Sequence, residues 1–300
     1  MTAVVLDCDP GHDDVFAMLL AAAHPAIDLR AITTVAGNGT LDQVTANALK
    51  VCALAGIDVP VAAGLSQREN ENAPSIHGAS ALDGADLPQP ADLLVDEDAI
   101  SLTERLLAEG PLTIVATGPL TNVAALLRKR PDLKPRIVFM GGSCGRGNWR
   151  PLAEFNIWAD PEAADTVLSS GLAVTMCGLD VTHQATATPE VFGKLRAMAT
   201  PLADTMVDLL RFFASTYDEV FGMPDPPVHD PVAVAAVAEP GLLRTVAAPV
   251  AVELAGTHTR GATVVDLHGV TGNPANAHVA VELDRRGFWD VMLRAVERLG

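Results

Sequence analysis

Residues 3–24 read AVVLDCDPGHDDVFAMLLAAAH: an apolar run ending in acids, a Pro-Gly turn, then a long apolar stretch. This is strand, turn, helix, and the unit recurs down the chain. IDLRAITTVAG from Ile27 is a second strand, QVTANALKVCALAG a helix closed by Gly56, and VPVAAG a short strand. Residues 66–98 then turn polar and rich in Gly, Pro and Asp, a length that suggests a lid or binding loop. Alternation returns with the strand LTIVAT, the helix GPLTNVAALLRK and the buried strand PRIVFMGG. The helix DPEAADTVLSSG, with Gly171 behind it, and the strand AVTMCGLD follow. Helical periodicity dominates 189–221, and DPPVHDPVAVAAVAEPG supplies a loop and a short helix. VAAPVAVEL, GATVVDL and AHVAVEL read as strands, and RRGFWDVMLRAVERL as a closing amphipathic helix. Apolar strands alternating with helices predict an open, mostly parallel α/β sheet covered on both faces, the late strands adding antiparallel edges. No linker or composition shift divides residues 1–300, so a single domain is expected.

Composition narrows the function. Twenty Lys and Arg face 37 Asp and Glu, a net charge of -17, which opposes nucleic-acid binding. No apolar run approaches a membrane span, and no basic, apolar leader precedes Asp7. A soluble, cytoplasmic protein is expected. Cys8, Cys52, Cys144 and Cys177 form no CxxC pair and read as buried free thiols.

Ligands of open α/β sheets sit at the carboxyl ends of the strands. The densest polar groups fall there: Asp7, Asp9, Asp13 and Asp14; Gly37 and Asn38; Thr117; Gly141 and Gly142; Asp180. DCDPGHDD sets four carboxylates across one strand-to-helix turn, Asp7 and Asp9 on one face by the two-residue period. A helix dipole worth roughly 0.3–1 kcal/mol per group does not offset that repulsion. A hard cation with oxygen ligands, Ca²⁺ or Mg²⁺, does; solvated capping acids are the alternative. Neither GxGxxG nor a P-loop occurs at this turn. In PPVHDP (226–231), Asp230 suits a distant metal ligand that presents His229 to the substrate, or else a helix cap beside a surface histidine. His77, inside the polar loop, is a second candidate proton donor. In GNWRPLAEFNIWADPEAA (147–164), Asn148, Glu154 and Asn156 lie between Trp149, Phe155 and Trp158, a lining suited to a polyhydroxylated ligand such as a sugar. Cation, acids, sugar pocket and proton donor together suggest hydrolysis at an anomeric carbon.

DCDPGHDD, TTVAGNGT, IHG, ATGPLTN, FMGG, AEFNIWADPEAA, GLDVTHQA and VHDP, in this order, closely resemble the nucleoside hydrolases, calcium-dependent N-ribohydrolases of the inosine–uridine-preferring type and their pyrimidine-preferring relatives. The resemblance runs from about residue 3 to the carboxyl-terminal FWDVMLRAVERLG. It implies a Rossmann-like sheet and one Ca²⁺ per chain, held by Asp9, Asp14, Asp230 and the Thr117 carbonyl. It makes Asp9 the acceptor of the attacking water's proton, and Asp13, Asn38, Asn148, Glu154 and Asn156 ribose ligands or their support. Met140 becomes an apolar wall to the ribose, His229 and His77 base-side histidines, and Tyr217 a flap tyrosine. It further implies a nucleoside substrate and a homodimer or homotetramer. Two departures leave base preference open: Phe221 stands at a flap position that is polar or basic in the family, and His12 sits between the acids, as in some pyrimidine-preferring relatives. The rival readings are a non-catalytic calcium-dependent sugar- or nucleoside-binding protein and an aspartyl-nucleophile phosphatase. LDCDPG superficially fits the second, but the lysine that such chemistry needs has no strand-end motif here.

Overall fold

The computed structural model describes residues 1–66 and 74–300. Its first half comprises β1 (Thr2–Cys8), α1 (His12–Ala23), β2 (Ile27–Thr34), α2 (Leu41–Ala55), β3 (Val61–Ala63), α3 (Pro74–His77), α4 (Ala99–Glu109), β4 (Thr113–Ala116), α5 (Thr121–Lys129) and β5 (Arg136–Met140). There follow α6 (Phe155–Ala159), α7 (Pro161–Leu168), β6 (Val174–Cys177), α8 (Leu179–Thr182), α9 (Pro189–Met198), α10 (Pro201–Phe221) and α11 (Pro231–Ala238). The chain closes with β7 (Leu243–Ala248), β8 (Val250–Val252), β9 (Thr263–Val265), β10 (Ala277–Leu283) and α12 (Arg285–Leu299). An eight-stranded sheet runs β3-β2-β1-β4-β5-β6-β10-β7, and β8 and β9 form a separate ribbon. Every pairing from β3 through to β10 is parallel; β7 closes the edge antiparallel to β10.

Each strand feeds two cores because successive side chains leave opposite faces. Val4, Leu6 and Cys8 of β1 join α1, α2 and α9–α12 on one side. Val5 joins α4, α5 and α7 on the other. Burial on both faces explains why these strands read as continuous apolar runs. Helices from β1 and β2 pack on the first face, those from β3 and β4 on the second. β1 and β4 therefore flank the point where the strand order reverses, the usual ligand crevice of such sheets.

Some local readings differ from the structure. VAAPVAVEL is not one strand: Pro249 has no N–H to continue the ladder, so β7 pairs with β10 and β8 with β9. The end of AVTMCGLD leaves the sheet as α8. Helix α4 had no predicted counterpart, although Asp98 caps it by accepting from Ile100 and Ser101 N–H at 2.9 and 3.0 Å. Cys144 is half-buried, unlike the other three cysteines; all four are free. Among the described residues no helix is long and apolar enough to cross a membrane.

Candidate active site

One open cavity lies over the crevice, the usual place for a small-molecule site in such sheets. Its lining includes all the expected site residues except Asp9 and Asp14: Asp13, Asn38, His77, Thr117, Met140, Asn148, Glu154, Asn156, Tyr217, His229 and Asp230.

Asp9 and Asp14 sit immediately behind it. β1 ends at Cys8, so strand alternation stops before Asp9 and the first two acids separate. Asp7 turns toward α5, and Thr33 Oγ1 of β2 and Asn122 Nδ2 of α5 donate to its Oδ1 at 2.7 and 2.8 Å. Burial pushes its carboxyl up to about 6. Asp9 instead accepts from Asn38 N–H at 2.8 Å. A Cβ on Gly37 would collide with its carboxylate, and one on Gly118 would come within 2.7 Å; only glycines leave it room. Asp14 enters the first turn of α1, accepting from Gly11 N–H at 3.0 Å, from Asn38 Nδ2 at 3.3 Å and from Thr117 Oγ1 at 2.8 Å.

Asp13, Asp14 and Asp230 bring one carboxylate oxygen each to within 4.8 Å of one another, all three buried. Two of the expected metal ligands, Asp14 and Asp230, thus meet, but with Asp13 where the resemblance placed Asp9. Burial raises the pKa of Asp9, Asp13, Asp14 and Asp230, and neighbouring carboxylate charge raises Asp9, Asp13 and Asp230 further. An all-oxygen, multiply anionic, buried donor set fits a hard divalent cation, Ca²⁺ in particular. It fits a zinc ion poorly, since no thiolate or imidazole joins the cluster.

The sugar-type residues form one wall. Glu154 caps α6, its Oε1 accepting from Asn156 N–H at 2.8 Å and its Oε2 from Gly142 and Ile157 N–H at 2.8 and 3.1 Å. Burial nevertheless pushes its carboxyl up to about 7. Asn156 Nδ2 donates to the Thr117 and Met140 carbonyls at 2.7 and 3.2 Å, bridging the ends of β4 and β5. Asn148 Oδ1 accepts from Phe155 N–H at 3.0 Å. These bonds fix both amides within the cavity wall.

At the end that Asp13 and Asp230 also line, His229 N–H donates to Asp13 Oδ2 at 3.3 Å. Its ring lies between two hydroxyls, Thr182 Oγ1 2.8 Å from Nδ1 and Tyr217 OH 2.6 Å from Nε2. Burial, then the His183 charge, hold its pKa well below the usual histidine value. His77 closes the same end as the last residue of α3, which Thr216 of α10 anchors through the Ile76 carbonyl at 2.8 Å. The polar loop is thus docked on α10 where it is described, and its residues 67–73 lie outside the described set.

Some lining escaped the sequence reading. Phe213 and Ile76 wall the base end with Tyr217 and Phe221; the 213–217–221 spacing on α10 was the signal. Thr182 and His183, whose ring centroid lies 5.5 Å from that of His229, were visible inside GLDVTHQA. Asp180 was placed at the strand ends but turns away, accepting from Cys144 N–H at 2.6 Å.

The pattern of inosine-uridine preferring nucleoside hydrolases matches residues 4–290. The chain is 45% identical over 304 residues to the pyrimidine-specific ribonucleoside hydrolase RihA of Shewanella woodyi, covering 98% of this chain and 97% of that one. The purine-preferring ribonucleoside hydrolase of Gardnerella vaginalis superposes with a TM-score of 0.92 at 32% identity, covering 99% of each chain. A plant nucleoside hydrolase, PpNRh1, does so with a TM-score of 0.89 at 29% identity and 98% coverage of each. Sequence, fold and the acid-floored crevice agree: the chain belongs to the inosine-uridine preferring nucleoside hydrolase family and is an enzyme of its glycosidase class.

Proposed function

We propose that this chain hydrolyses the N-glycosidic bond of ribonucleosides, pyrimidine ribonucleosides foremost, to the free base and ribose, with one Ca²⁺ per chain. The observation that carries the reading is one cavity lined both by buried carboxylates and by a hydroxyl-flanked histidine that is bonded to one of them. Breaking the bond leaves an oxocarbenium-like ribosyl centre and a base gaining negative charge. Asp13, Asp230 and Glu154 favour the first, a stabilisation that grows toward the transition state. Proton delivery answers the second. We assign it to His229, whose backbone is tied to Asp13 and whose ring meets the Tyr217 hydroxyl, with His77 assisting. Calcium on Asp14 and Asp230, with Asp13 beside them and with Asp9 and the Thr117 carbonyl as the resemblance implies, would supply an activated water and a grip on the ribose diol. Asp9 takes the proton of the attacking water. Asp13, Asn38, Asn148, Glu154 and Asn156 orient the ribose, and Met140 packs against it.

Pyrimidine preference rests on relatives named for it at 45–46% identity, against a purine-preferring one at 32%. Measuring kcat/KM on uridine, cytidine, inosine, adenosine and guanosine tests both parts. Uridine and cytidine should lead. Binding of ribonucleosides without release of ribose would favour a non-catalytic role. A homodimer or homotetramer in the cytoplasm belongs to the same proposal, and light scattering checks the assembly.

A further inference from the structure

Asn47 lies in the middle of α2, 3% exposed, and is not part of the cavity lining. It belongs to none of the motifs that carry the resemblance. Its side-chain amide nevertheless reaches the site from behind. Nδ2 donates to the Pro10 carbonyl at 3.2 Å and to the Ser80 carbonyl at 3.0 Å, so both amide hydrogens are committed. The first acceptor sits in the turn between Asp9 and Asp13. The second sits in the loop that carries His77. Asn47 alone among the described residues donates to both segments.

The loop is built to carry that grip to His77. Residues 77–83 close on themselves: Asp83 N–H donates to the His77 carbonyl at 3.1 Å and Ala81 N–H to the Gly78 carbonyl at 3.2 Å. The Asp83 carboxylate accepts from Ala79 and Ser80 N–H at 2.8 and 3.2 Å. Ala81 holds a left-handed φ of 64°, unfavourable for any side chain and kept only where its surroundings fix it. Gln43, one turn earlier on α2, donates to the Ala79 carbonyl at 3.0 Å, but at the surface. His12 reaches the Asp83 carbonyl at 2.7 Å and steadies the far end of the loop. The His77 ring itself rests on the acid turn: His12 backbone N–H donates to its Nδ1 at 3.2 Å. A Cβ on Gly11 would come within 2.7 Å of the ring. Contact that close survives only while loop and turn keep their spacing, which is the distance the Asn47 amide spans.

We propose that Asn47 is the positioning residue for His77: its amide clips the histidine loop to the acid turn and so fixes where the ring stands over the leaving base. Asn47 touches neither substrate nor reacting atoms and acts only through that spacing. The inference rests on the nucleoside reading of the cavity, in which His77 assists departure of the base.

A double-mutant cycle on uridine tests it. Asn47→Leu keeps most of the volume and removes the donor, whereas Asn47→Ala removes both, so agreement between them separates lost bonds from lost packing. Each should lower kcat by on the order of tenfold, the worth of a neutral hydrogen bond, with KM changed far less. Added to His77→Ala, the same substitutions should cost almost nothing further. An equal loss in both backgrounds means that Asn47 does not act through His77 and overturns the proposal. Hydrogen exchange of the whole protein reads the loop without turnover. The amides of Ala79, Ser80, Ala81 and Asp83 should exchange faster in Asn47→Leu, while those of β1 and β4 stay protected. Unchanged protection in the loop overturns the clip. So does a loss confined to calcium affinity, which would place the role of Asn47 at the acid turn. If the wild-type enzyme releases ribose from no ribonucleoside, the reading of the cavity fails, and the exchange arm still decides whether Asn47 holds the loop.

Discussion

The Thr117 hydroxyl donates to Asp14 Oδ1 at 2.8 Å, joining the loop after β4 to the first turn of α1 across the point where the strand order reverses. Asn156 Nδ2 meets the carbonyl of the same threonine at 2.7 Å. One residue therefore links the acid cluster to the sugar wall. Its hydroxyl and its carbonyl do different work, and mutation can separate them.

Asp14→Ala removes a carboxylate from the three-acid cluster. Metal analysis of the wild-type protein should find about one equivalent of calcium, and the variant should lose both metal and turnover. The expected loss exceeds the ~100-fold upper end for residues that merely support metal ligands. Full activity after thorough chelation would remove the cation from the mechanism.

Thr117→Val keeps the carbonyl and deletes the hydroxyl. Calcium affinity should weaken about 10- to 100-fold, with turnover recovering at high calcium concentration. A calcium titration of activity checks this, and a deficit that calcium does not restore would place the hydroxyl's role elsewhere.

Buried acids also set the pH dependence of stability. The Glu154 carboxyl rises from 4.5 to about 7 and Asp7 from 3.8 to about 6, both through burial. The folded state thus binds more protons than the unfolded chain within that window, and stability falls as pH rises through it. The thermal midpoint of the chelated protein should decline from about pH 4.5 to about pH 7. With calcium bound the decline should shrink, because the ion favours the ionised cluster. A chelated protein that gains stability over this range would contradict the assigned directions.

His229→Ala should lower kcat on uridine by about 10²–10⁴-fold, the usual worth of general acid catalysis. It should matter far less for p-nitrophenyl riboside, whose leaving group needs no proton. Tyr217→Phe deletes the hydroxyl 2.6 Å from His229 Nε2 and should show the same substrate dependence, with a smaller loss. Equal losses on both substrates would make His229 positional.

Ribose recognition predicts poor turnover of 2′-deoxyuridine. A lost hydrogen bond to a charged group costs about 1.5–3 kcal/mol, roughly a tenfold to 150-fold fall in kcat/KM. Comparable rates for uridine and deoxyuridine would contradict the proposed clamp. Glu154→Ala should in addition lower the melting temperature, since the carboxylate caps α6 and a lost cap costs about 0.5–2 kcal/mol.

Much of this was legible in residues 3–24 alone. Apolar runs of strand length alternating with helical periodicity specify a sheet buried on both faces, and the acids at the β1–α1 turn mark its ligand end. Local chemistry decides such features: the two-residue and 3.6-residue periods, the Pro-Gly turn and the helix dipole act between neighbours in the chain. Even the split of VAAPVAVEL was written in Pro249, and helix α4 in Asp98. Asp14 and Asp230 were expected to share a cation with Asp9; that Asp13 is the acid beside them was not legible. Asp13 and Asp14 join Asp230, more than two hundred residues away, because α1 and α11 pack together and β1 ends one residue before Asp9. Nor did the sequence disclose that Thr182, Tyr217 and His229 form one hydrogen-bonded row, or that His12 faces Asp83, His77 and two phenylalanines and not the acids beside it. Those partners come from separate elements, and hydrogen bonds are set by distances of a few ångströms that only the packed core defines. Sequence determined the strands, the turn and the kinds of groups at its end; tertiary packing decided which of them touch, and so which can share a cation or a proton.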